Sequence, residues 1–383
     1  MKRGYIEMTI LMVDDNSVNL FVIESILKKA GYENCHPLNS AEELFQYLRL
    51  DEKEAPAPMV DLILLDIMMP KIDGIEACRR IQQDDRLKEI PIIFLTALND
   101  SRHLVEAFEV GGTDYVTKPI DKLEFLARVR LALRLKFEKD RNKEQEAKMQ
   151  EDLLLAMQVQ GSLLNDSTID KHLSIQVFHS PSDNLSGDMY HWHKFSDHRY
   201  GIILFDMMGH GISASLVSMF ISSVLRDAIK NLEDPALVIK ELNRYMTSLH
   251  NKNNLNYYFT AIYLIIDTEK REIEYVNAGH PPGFLRIDGT LLTMERGACA
   301  VGLFDEIHVR KSKLSYNRDI QLLLYTDGII ESEGIDEMEA LEKLQTITCQ
   351  EWKEDECLFQ TILSDINQSN QKDDICLLMI KTK

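Results

Sequence analysis

Aspartates carry the most distinctive chemistry in this sequence, and several of them stand in short stretches far apart in the chain. Taken singly, each is more often a turn residue than a ligand, and Asp-Gly between apolar runs is a hairpin signal. Similar stretches recurring at strand ends favour a shared site instead. The four stretches are LSGDMY with Asp188, LFDMMGHG with Asp206, LLLYTDGIIES with Asp327, and NQKDDICLLMI with Asp373 and Asp374.

Together the four stretches predict a carboxylate cluster that binds divalent metal ions. The predicted members are Asp188, Asp206, Asp327 and Asp373. They offer oxygen ligands alone, which suits Mg²⁺ or Mn²⁺ rather than zinc. Two such ions about 3.5–4 Å apart can share a water molecule, lower its pKa and direct it at a phosphorus atom. The predicted chemistry is therefore metal-assisted phosphoester hydrolysis without a covalent intermediate.

The N-terminal half places polar side chains at successive strand ends. These residues are Asp14 and Asp15 after Met8–Val13, Asp66 after Val60–Leu65, Thr96 after Ile92–Leu95, and Lys118 after Tyr115–Thr117. Three close carboxylates favour a bound Mg²⁺, beside which Asp66 could attack a phosphoryl donor. Lys118 and Thr96 would then contact the new phosphoryl oxygens.

Strands that alternate with helices must position these N-terminal residues. Residues Ser17–Lys29 have helical spacing and end before Gly31, and the strand-helix alternation continues as far as Pro119. This order predicts an α/β domain with a doubly wound parallel sheet covered on both faces. Ligands of such sheets bind beyond the carboxyl ends of the strands, where the polar residues stand.

A stretch without glycine or proline, residues 122–160, joins the two halves of the chain. Its Leu, Glu, Lys, Arg, Gln and Ala content predicts a helix roughly 60 Å long. Apolar residues cluster at its two ends, and residues 138–152 are almost wholly charged or amide. The sequence leaves two interpretations of this middle part open, a solvated spacer and the seam of a coiled-coil dimer.

The motifs VDDN, LILLDIMMPKIDG, FLTA and YVTKP resemble those of CheY-like two-component receiver domains, over about residues 8–125. The resemblance implies a (βα)5 fold, phosphorylation of Asp66 by a sensor histidine kinase, and a bound Mg²⁺. The implied metal ligands are Asp15, Asp66 and the Met68 carbonyl, with Asp14 in the outer coordination sphere. The implied switch residues are Thr96 and Tyr115, with Lys118 as the phosphate-sensing cation.

The C-terminal stretches resemble type-2C (PPM) metal-dependent serine/threonine phosphatases of the bacterial SpoIIE/RsbU branch, over about residues 150–383. NAGHPP, YYFTAIYLIID and AMQVQGSLL belong to the same resemblance. It implies that Asp206 bridges two Mn²⁺ or Mg²⁺ ions and that the Met207 carbonyl reaches one of them. Asp327 and Asp373 would hold the other ion, and Asp188 would support the site directly or through water. The implied fold is an α+β sandwich of two antiparallel sheets flanked by helices.

Several positions depart from this family pattern or leave a role open. Ser186 and His191 replace the first glycine and the last aspartate of a GGD-x-x-D motif, which bears on metal affinity. Asn165 replaces a proline after the long helix, and we expect it to loosen that joint. His191 and His193 form an HxH pair that is more often solvated than metal-bound. His280 either contacts substrate or braces its loop.

Composition limits the classes of partner. A net charge of −19 over 383 residues disfavours nucleic acid as a ligand. The six cysteines are scattered without a CxxC pair, so neither a disulfide framework nor structural zinc is expected. No apolar run approaches the length of a membrane span, and the sequence predicts a cytoplasmic protein that binds no membrane.

These observations predict a receiver domain at residues 1–125, a helical linker at 126–165 and a PPM-type phosphatase domain at 166–383. The predicted protein is a response regulator, similar to those of the general stress response, in which phosphorylation of Asp66 activates the phosphatase. By resemblance, the substrate is a phosphorylated anti-sigma factor antagonist, and the linker helix forms a homodimer. The alternative is a receiver joined to an inactive phosphatase-like module that binds its partner without hydrolysis. A DNA-binding regulator is disfavoured because no helix-turn-helix pattern follows the linker.

Overall fold

The structure is a computed structural model, and the chain divides into two compact units, Met1–Gln150 and Glu151–Lys383. The residues that it describes are 8–52, 54–97, 101–253, 256–331, 337–352, 359, 362 and 371–383.

The first unit alternates strands and helices, as predicted. Its elements are β1 (Ile10–Val13), α1 (Ser17–Lys29), β2 (Cys35–Leu38), α2 (Ala41–Leu48), β3 (Leu62–Asp66), α3 (Gly74–Gln82), β4 (Ile92–Thr96), α4 (Ser101–Glu109) and β5 (Asp114–Thr117). The strands form one parallel sheet in the order β2-β1-β3-β4-β5. The order reverses at β1 and β3, so the carboxyl ends of these two neighbours border a crevice.

Both faces of this sheet are buried. Leu11 and Ile63 pack in one apolar cluster, while Met12 and Leu64, the next residues along each strand, pack in another. Successive side chains of a strand point to opposite faces, so a strand covered on both sides needs apolar residues at every position. This burial explains the continuous apolar runs that end at the polar residues.

The start of α3 packs directly against the strand end that carries Asp66. The Asp73 side chain caps α3 by accepting a hydrogen bond from the Glu76 backbone N–H. A Cβ atom at Gly74 would lie 2.2 Å from the Asp66 carbonyl oxygen, so only glycine allows this approach. The glycine of the DG pair therefore fixes the helix beside the phosphoacceptor candidate.

One helix, α5 (Lys122–Leu163), continues from the first unit into the second. It has 42 residues and extends past the predicted end at residue 160, with the exposed Gly161 inside its last turn. Phe125 and Val129 bury its beginning in the first unit. Residues 141–152 are all exposed. The domain limits at 125 and 166 remain predictions.

The second unit is a sandwich of two antiparallel sheets flanked by helices, as predicted. Its elements are β6 (Thr168–Ile169), β7 (Leu173–Ser180), β8 (Met189–Ser196), β9 (Arg199–Met207), α6 (Ile212–Asn231), α7 (Pro235–Asn253), β10 (Phe259–Asp267), β11 (Glu272–Ala278), β12 (Phe284–Ile287), β13 (Thr290–Thr293), β14 (Ser312–Ser315), β15 (Ile320–Tyr325), α8 (Glu337–Cys349) and β16 (Ile375–Thr382). One sheet has the order β14-β11-β10-β9-β8, and the other β13-β12-β15-β16-β7-β6.

The main core of this unit lies between the two sheets. Leu204 of β9 packs there in one cluster with Leu322 of β15 and Leu378 of β16. Ile203, the neighbour of Leu204, points to the other face and packs with Leu225 of α6. The alternation of strand side chains thus supplies both the inter-sheet core and the helix-covered outer face.

Among the residues that the structure describes, α6 is the one helix long and apolar enough to cross a membrane. Length and composition alone are weak evidence of a membrane span, because the core helices of many proteins share them. Its Ala214, Ile221 and Leu225 are buried in the cluster beneath it. This packing is that of a core helix.

Asp170 closes the turn between β6 and β7 and yields a prediction about stability. It accepts hydrogen bonds from the backbone of His172 and Leu173 and from the Tyr200 hydroxyl. Partial burial opposes ionisation, but these donors hold the pKa of Asp170 well below its usual range. We expect Asp170→Ala to lower the free energy of unfolding near neutral pH by about 1–3 kcal/mol.

The sign of the pKa shift sets the pH dependence of this loss. A depressed folded-state pKa stabilises the fold above the unfolded pKa of about 3.9, and that stabilisation disappears as the pH falls below it. Urea unfolding of wild type and Asp170→Ala should therefore differ at neutral pH and converge in acid. An equal difference at both pH values would contradict this role of the carboxylate.

Candidate functional site

The first unit brings three predicted carboxylates together at the carboxyl ends of β1 and β3. One oxygen from each of Asp14, Asp15 and Asp66 lies within 4.8 Å of the other two. Asp14 and Asp66 are buried, whereas Asp15 is exposed. Such a set fits a hard cation that keeps several of its waters, and Mg²⁺ is the usual occupant of this kind of site.

Lys118 joins this acidic group from the end of β5. Its Nζ atom lies 2.7 Å from Asp14 Oδ2 and 2.9 Å from Asp66 Oδ1. Burial raises the pKa of Asp66 above its ordinary value, and the hydrogen bond and charge of Lys118 oppose that rise. The ammonium therefore keeps two buried carboxylates close to each other despite their repulsion.

The backbone around the pocket places two further predicted residues. Thr96 is fully buried at the end of β4, and its carbonyl oxygen accepts the Lys118 backbone N–H at 2.7 Å. The backbone N–H of Met68 donates a hydrogen bond to Asp66, and the Met68 side chain is exposed. The switch role of Thr96 and the metal contact of the Met68 carbonyl stay predictions.

Tyr115, the other predicted switch residue, contacts the helix that leaves the first unit. Its ring is half-buried and lies edge-on to Phe108, with 6.1 Å between centroids. The guanidinium of Arg128, on α5, lies 5.6 Å from the centre of the Tyr115 ring. Arg128 also makes two hydrogen bonds, of 2.7 and 2.8 Å, to the Asp114 carboxylate. A movement of the Tyr115 ring would therefore change its contact with Arg128 of α5.

The second unit brings its four predicted aspartates to strand ends in neighbouring pairs. Asp188 precedes β8, and Asp206 lies near the end of β9, which pairs antiparallel with β8. Asp327 follows β15, and Asp373 lies just before β16, which pairs antiparallel with β15. Antiparallel neighbours place the end of one strand beside the start of the next. Each sheet thus contributes one pair of carboxylates.

Electrostatic coupling shows that the two pairs face each other. Burial raises the pKa of Asp206 to about 8, and the charges of Asp327 and Asp373 are the next causes. Burial and then the charge of Asp206 raise the pKa of Asp188 well above its ordinary value. Burial and then the charge of Asp373 raise the pKa of Asp327 above its ordinary value. Mutual repulsion of this kind is relieved by bound cations.

The donor set of this cluster fits divalent metal ions. Oδ2 of Asp188 is buried without a hydrogen-bond partner, which is costly for a carboxylate unless a cation pairs with it. The Met207 carbonyl oxygen faces the same loop, 3.4 Å from where a Cβ atom of Gly187 would lie. Within the described part of the chain, no three of the clustered aspartates have oxygens all within 4.8 Å of one another.

Asp374 holds the loop that carries Asp188, a role that the sequence did not reveal. Its Oδ2 atom accepts the Gly187 N–H at 2.6 Å, and its Oδ1 atom accepts the backbone N–H and the hydroxyl of Ser182 at 2.7 and 2.9 Å. Burial is the largest cause of the raised pKa of Asp188 and of Asp206, and the charge of Asp374 adds to it, so Asp374 lies beside the cluster. The two adjacent aspartates, Asp373 and Asp374, were the feature of the sequence that could have indicated this role.

The histidines have structural surroundings. His191 is 7% exposed, and burial lowers its pKa to about 4. His193 packs edge-on against Phe195. Among the described residues, neither histidine joins a group of three metal-ligating side chains. His280 is fully buried and its Nδ1 lies 2.8 Å from Thr260 Oγ1, so it braces its loop and cannot contact a protein substrate.

Asn165 fastens the joint after α5, and the expectation that it would loosen this joint was wrong. Its Oδ1 atom accepts the Trp192 backbone N–H at 3.1 Å, and its carbonyl oxygen accepts the Tyr190 hydroxyl at 2.8 Å. Both donors belong to β8. An asparagine can make the side-chain contact, whereas a proline has no acceptor there.

Comparison with known families assigns both units. Residues 10–130 match the family described as the response regulator receiver domain, and residues 196–383 match the family described as Stage II sporulation protein E (SpoIIE). Together with the parallel sheet, the sandwich and the two acidic clusters, these matches define the class. It is a receiver domain joined to a phosphatase-family domain of the SpoIIE type.

Individual relatives agree with this division. The chain is 39% identical over 182 residues to phosphoserine phosphatase RsbP of Bacillus subtilis, covering 47% of the chain and 45% of that protein. It is 35% identical over 138 residues to response regulator PleD of Caulobacter vibrioides, covering 36% of the chain and 29% of that protein. The chain thus spans about half or less of the length of these curated relatives.

A solved structure shares the fold of the second unit. The SiaA-PP2C domain of Pseudomonas aeruginosa superposes with a TM-score of 0.52 at 22% identity, covering 61% of the chain and 97% of that domain. This likeness shows that the second unit has the fold of that domain, the sandwich of two sheets described above.

Proposed function

We propose that this chain is a response regulator whose second unit hydrolyses phosphoserine or phosphothreonine in a protein, with divalent metal ions. The observation that carries the proposal is the convergence of four aspartates from distant strand ends into one partly buried acidic cluster. These residues are Asp188, Asp206, Asp327 and Asp373. The 39% sequence identity to a phosphoserine phosphatase, over 182 residues, supports the substrate class.

In the proposed site Asp206 would be the shared ligand, because carboxylates of both sheets affect its pKa. Asp327 and Asp373 would complete one set of ligands, and Asp188 with the Met207 carbonyl the other. Two bound Mn²⁺ or Mg²⁺ ions would supply a water of lowered pKa and positive charge near the phosphoryl oxygens. Asp206 and Asp373 are half-buried and leave room for that group, while the fully buried Asp188 closes the site from behind.

In the proposed regulation, a sensor histidine kinase phosphorylates Asp66. The phosphoryl group would pass from a histidine nitrogen of the kinase to a carboxylate oxygen of Asp66, with Mg²⁺ held by the adjacent carboxylates. Lys118, which now pairs with Asp14 and Asp66, would turn to the new phosphoryl oxygens. Thr96 and Tyr115 would follow, and the Arg128 contact would pass the change to α5.

We further propose that α5 forms a homodimer near its C-terminal end. Leu154, Leu155 and Val159 are 59%, 61% and 48% exposed, although they are apolar. A second copy of the same helix would cover such side chains, as in a coiled coil. Residues 141–152 lack such an apolar face and fit the solvated-spacer interpretation.

The proposed substrate is a phosphorylated anti-sigma factor antagonist of a partner-switching stress pathway. The support is the family resemblance together with the 39% identity to RsbP, which is a phosphoserine phosphatase. Hydrolysis of the phosphoserine would return the antagonist to its active form and release a sigma factor.

Asp66→Asn tests the regulatory part of this proposal. Asparagine keeps the size of the side chain but cannot accept a phosphoryl group, so acetyl phosphate should stimulate phosphatase activity in wild type and leave the variant at its basal rate. The measurement is turnover of a phosphorylated antagonist with and without acetyl phosphate. The exposed Asp51→Asn serves as the matched control and should respond like wild type. Equal stimulation of Asp66→Asn would place the phosphoacceptor elsewhere.

A further inference from the structure

The last turn of α5 grips the loop that leads into the acidic cluster of the second unit. Gln160 is 4% exposed, and its side-chain amide makes two hydrogen bonds to the backbone of one residue, Ser186. Gln160 Nε2 donates to the Ser186 carbonyl oxygen at 2.7 Å, and the Ser186 N–H donates to Gln160 Oε1 at 3.1 Å. This pairing uses the donor end and the acceptor end of the amide together, so it fixes the orientation as well as the position of Ser186.

Ser186 passes this constraint directly to Asp188. The Ser186 hydroxyl oxygen accepts the Asp188 backbone N–H at 3.0 Å, and both residues are buried. Gly187 between them is held separately, by the Asp374 carboxylate. The loop therefore has two anchors, one from its own sandwich and one from α5. Gln160 is the anchor that belongs to the helix.

The end of α5 is itself fixed to the second unit by other contacts. Arg226 of α6 donates to the carbonyl oxygens of Ser162 and Leu163 at 3.1 and 2.9 Å. A basic side chain on the last carbonyls is favourable at a helix C-terminus. Leu163 and Leu164 pack against the apolar clusters of the sandwich. Loss of Gln160 would therefore leave the helix end in place and free only the Ser186 loop.

We infer that Gln160 is a positioning residue for metal binding, which sets the place of Asp188 through Ser186 and lets α5 act on the cluster. This inference rests on the proposed metal-dependent phosphatase function. The two amide hydrogen bonds are 2.7 and 3.1 Å long, so even a small displacement of Gln160 within the last turn of α5 would disturb both of them. Residues that hold a ligand in place commonly change metal affinity when they are removed.

The test uses Gln160→Ala in the full chain, with Gln158→Ala as the matched control, since Gln158 is exposed on the same helix. Mn²⁺ binding to the second unit is measured by calorimetry, with Asp66→Asn in the background of every protein to remove the site in the first unit. We expect the Mn²⁺ dissociation constant to rise about 10-fold or more in Gln160→Ala and to stay unchanged in Gln158→Ala.

Turnover of p-nitrophenyl phosphate across a Mn²⁺ titration gives the second readout. Gln160→Ala should need correspondingly more Mn²⁺ for half-maximal rate but approach the wild-type rate at saturation. A lower melting temperature with unchanged Mn²⁺ affinity would show a merely structural role and overturn the inference. Should Gln160→Ala not fold, Gln160→Glu decides in the same way, because it keeps the length and one acceptor but cannot donate to the Ser186 carbonyl.

The outcomes separate this inference from the proposed function. If the background protein neither binds Mn²⁺ at the second unit nor hydrolyses the phosphoester, the proposed function fails and the inference fails with it. If that protein does both and Gln160→Ala matches it in Mn²⁺ affinity, the inference alone fails. A second arm, in chains that retain Asp66, compares rates with and without acetyl phosphate at limiting Mn²⁺. The stimulation should be weaker in Gln160→Ala than in Gln158→Ala.

Discussion

Asp206→Asn should lower the turnover of p-nitrophenyl phosphate in Mn²⁺ by at least about 100-fold. Loss of a residue that only orients a metal ligand already costs up to about 100-fold, and Asp206 is itself a proposed ligand. Asparagine keeps the shape of the side chain but removes the charge that both sets of ligands share. The variant should bind Mn²⁺ more weakly in calorimetry as well. Turnover that persists in Asp206→Asn would rule out the metal role of this residue and, with it, the reaction proposed here.

Asp227→Asn provides the matched control for this variant, because Asp227 is exposed on α6 in the same unit. Its turnover should stay within about two-fold of wild type, as is usual for surface substitutions. If the second unit were an inactive binding module, wild type and both variants would share the same negligible rate. The comparison therefore also separates the enzyme from the adaptor.

The same variant should change how stability depends on pH when metal ions are removed by a chelator. The pKa of Asp206 is raised to about 8, above its unfolded value, so the folded chain binds more protons than the unfolded chain. The contribution of Asp206 to the free energy of unfolding is therefore complete below about pH 4 and is lost as the pH rises through about 8. The melting temperature of the second unit should fall over that pH range in wild type and should fall less in Asp206→Asn.

The second large effect is expected from Gly328→Ala, next to Asp327. A Cβ atom at Gly328 would lie 2.0 Å from the Asp374 carbonyl oxygen and 3.2 Å from the Asp373 carbonyl carbon. Backbone cannot yield as a side-chain tip can, so the 3-10 turn at Asp327–Ile329 and the start of β16 must separate. We expect about 1–3 kcal/mol of lost stability from overpacking. Activity should fall about 100-fold, as for a misplacement of about 1 Å in a catalytic site.

Gly161→Ala is the control for this glycine, because it lies in α5 with nothing within 4 Å of an added Cβ atom. Alanine there should keep full activity and stabilise the helix by about 0.5–1 kcal/mol. The measurements are p-nitrophenyl phosphate turnover and thermal unfolding of the three proteins. If Gly328→Ala kept wild-type activity, the close approach of the turn at Asp327 to the start of β16 would not be needed for the reaction.

Much of the architecture could be predicted from local patterns. Apolar runs that end in Asp66 and Thr96 predicted strands of a parallel sheet, because a strand covered on both faces must be apolar throughout. The glycine-free stretch predicted α5, since helix propensity is a local property that sums along the chain. The apolar runs before Asp206 and Asp327 predicted strands, whereas the sandwich was implied by the family resemblance. The assignment of the aspartates as ligands came from motif resemblance and remains a prediction.

By itself, the sequence determined which residue types stand at each strand end, and hence the oxygen-rich chemistry of both units. Only the tertiary structure decided which partners those residues meet. It tied Asp374 to Ser182 and Gly187, buried His280, and set Gln160 against Ser186, 26 residues later in the chain. The physical reason is that these contacts depend on strand register and on packing between distant segments, where a one-residue slip would reverse the face of every side chain.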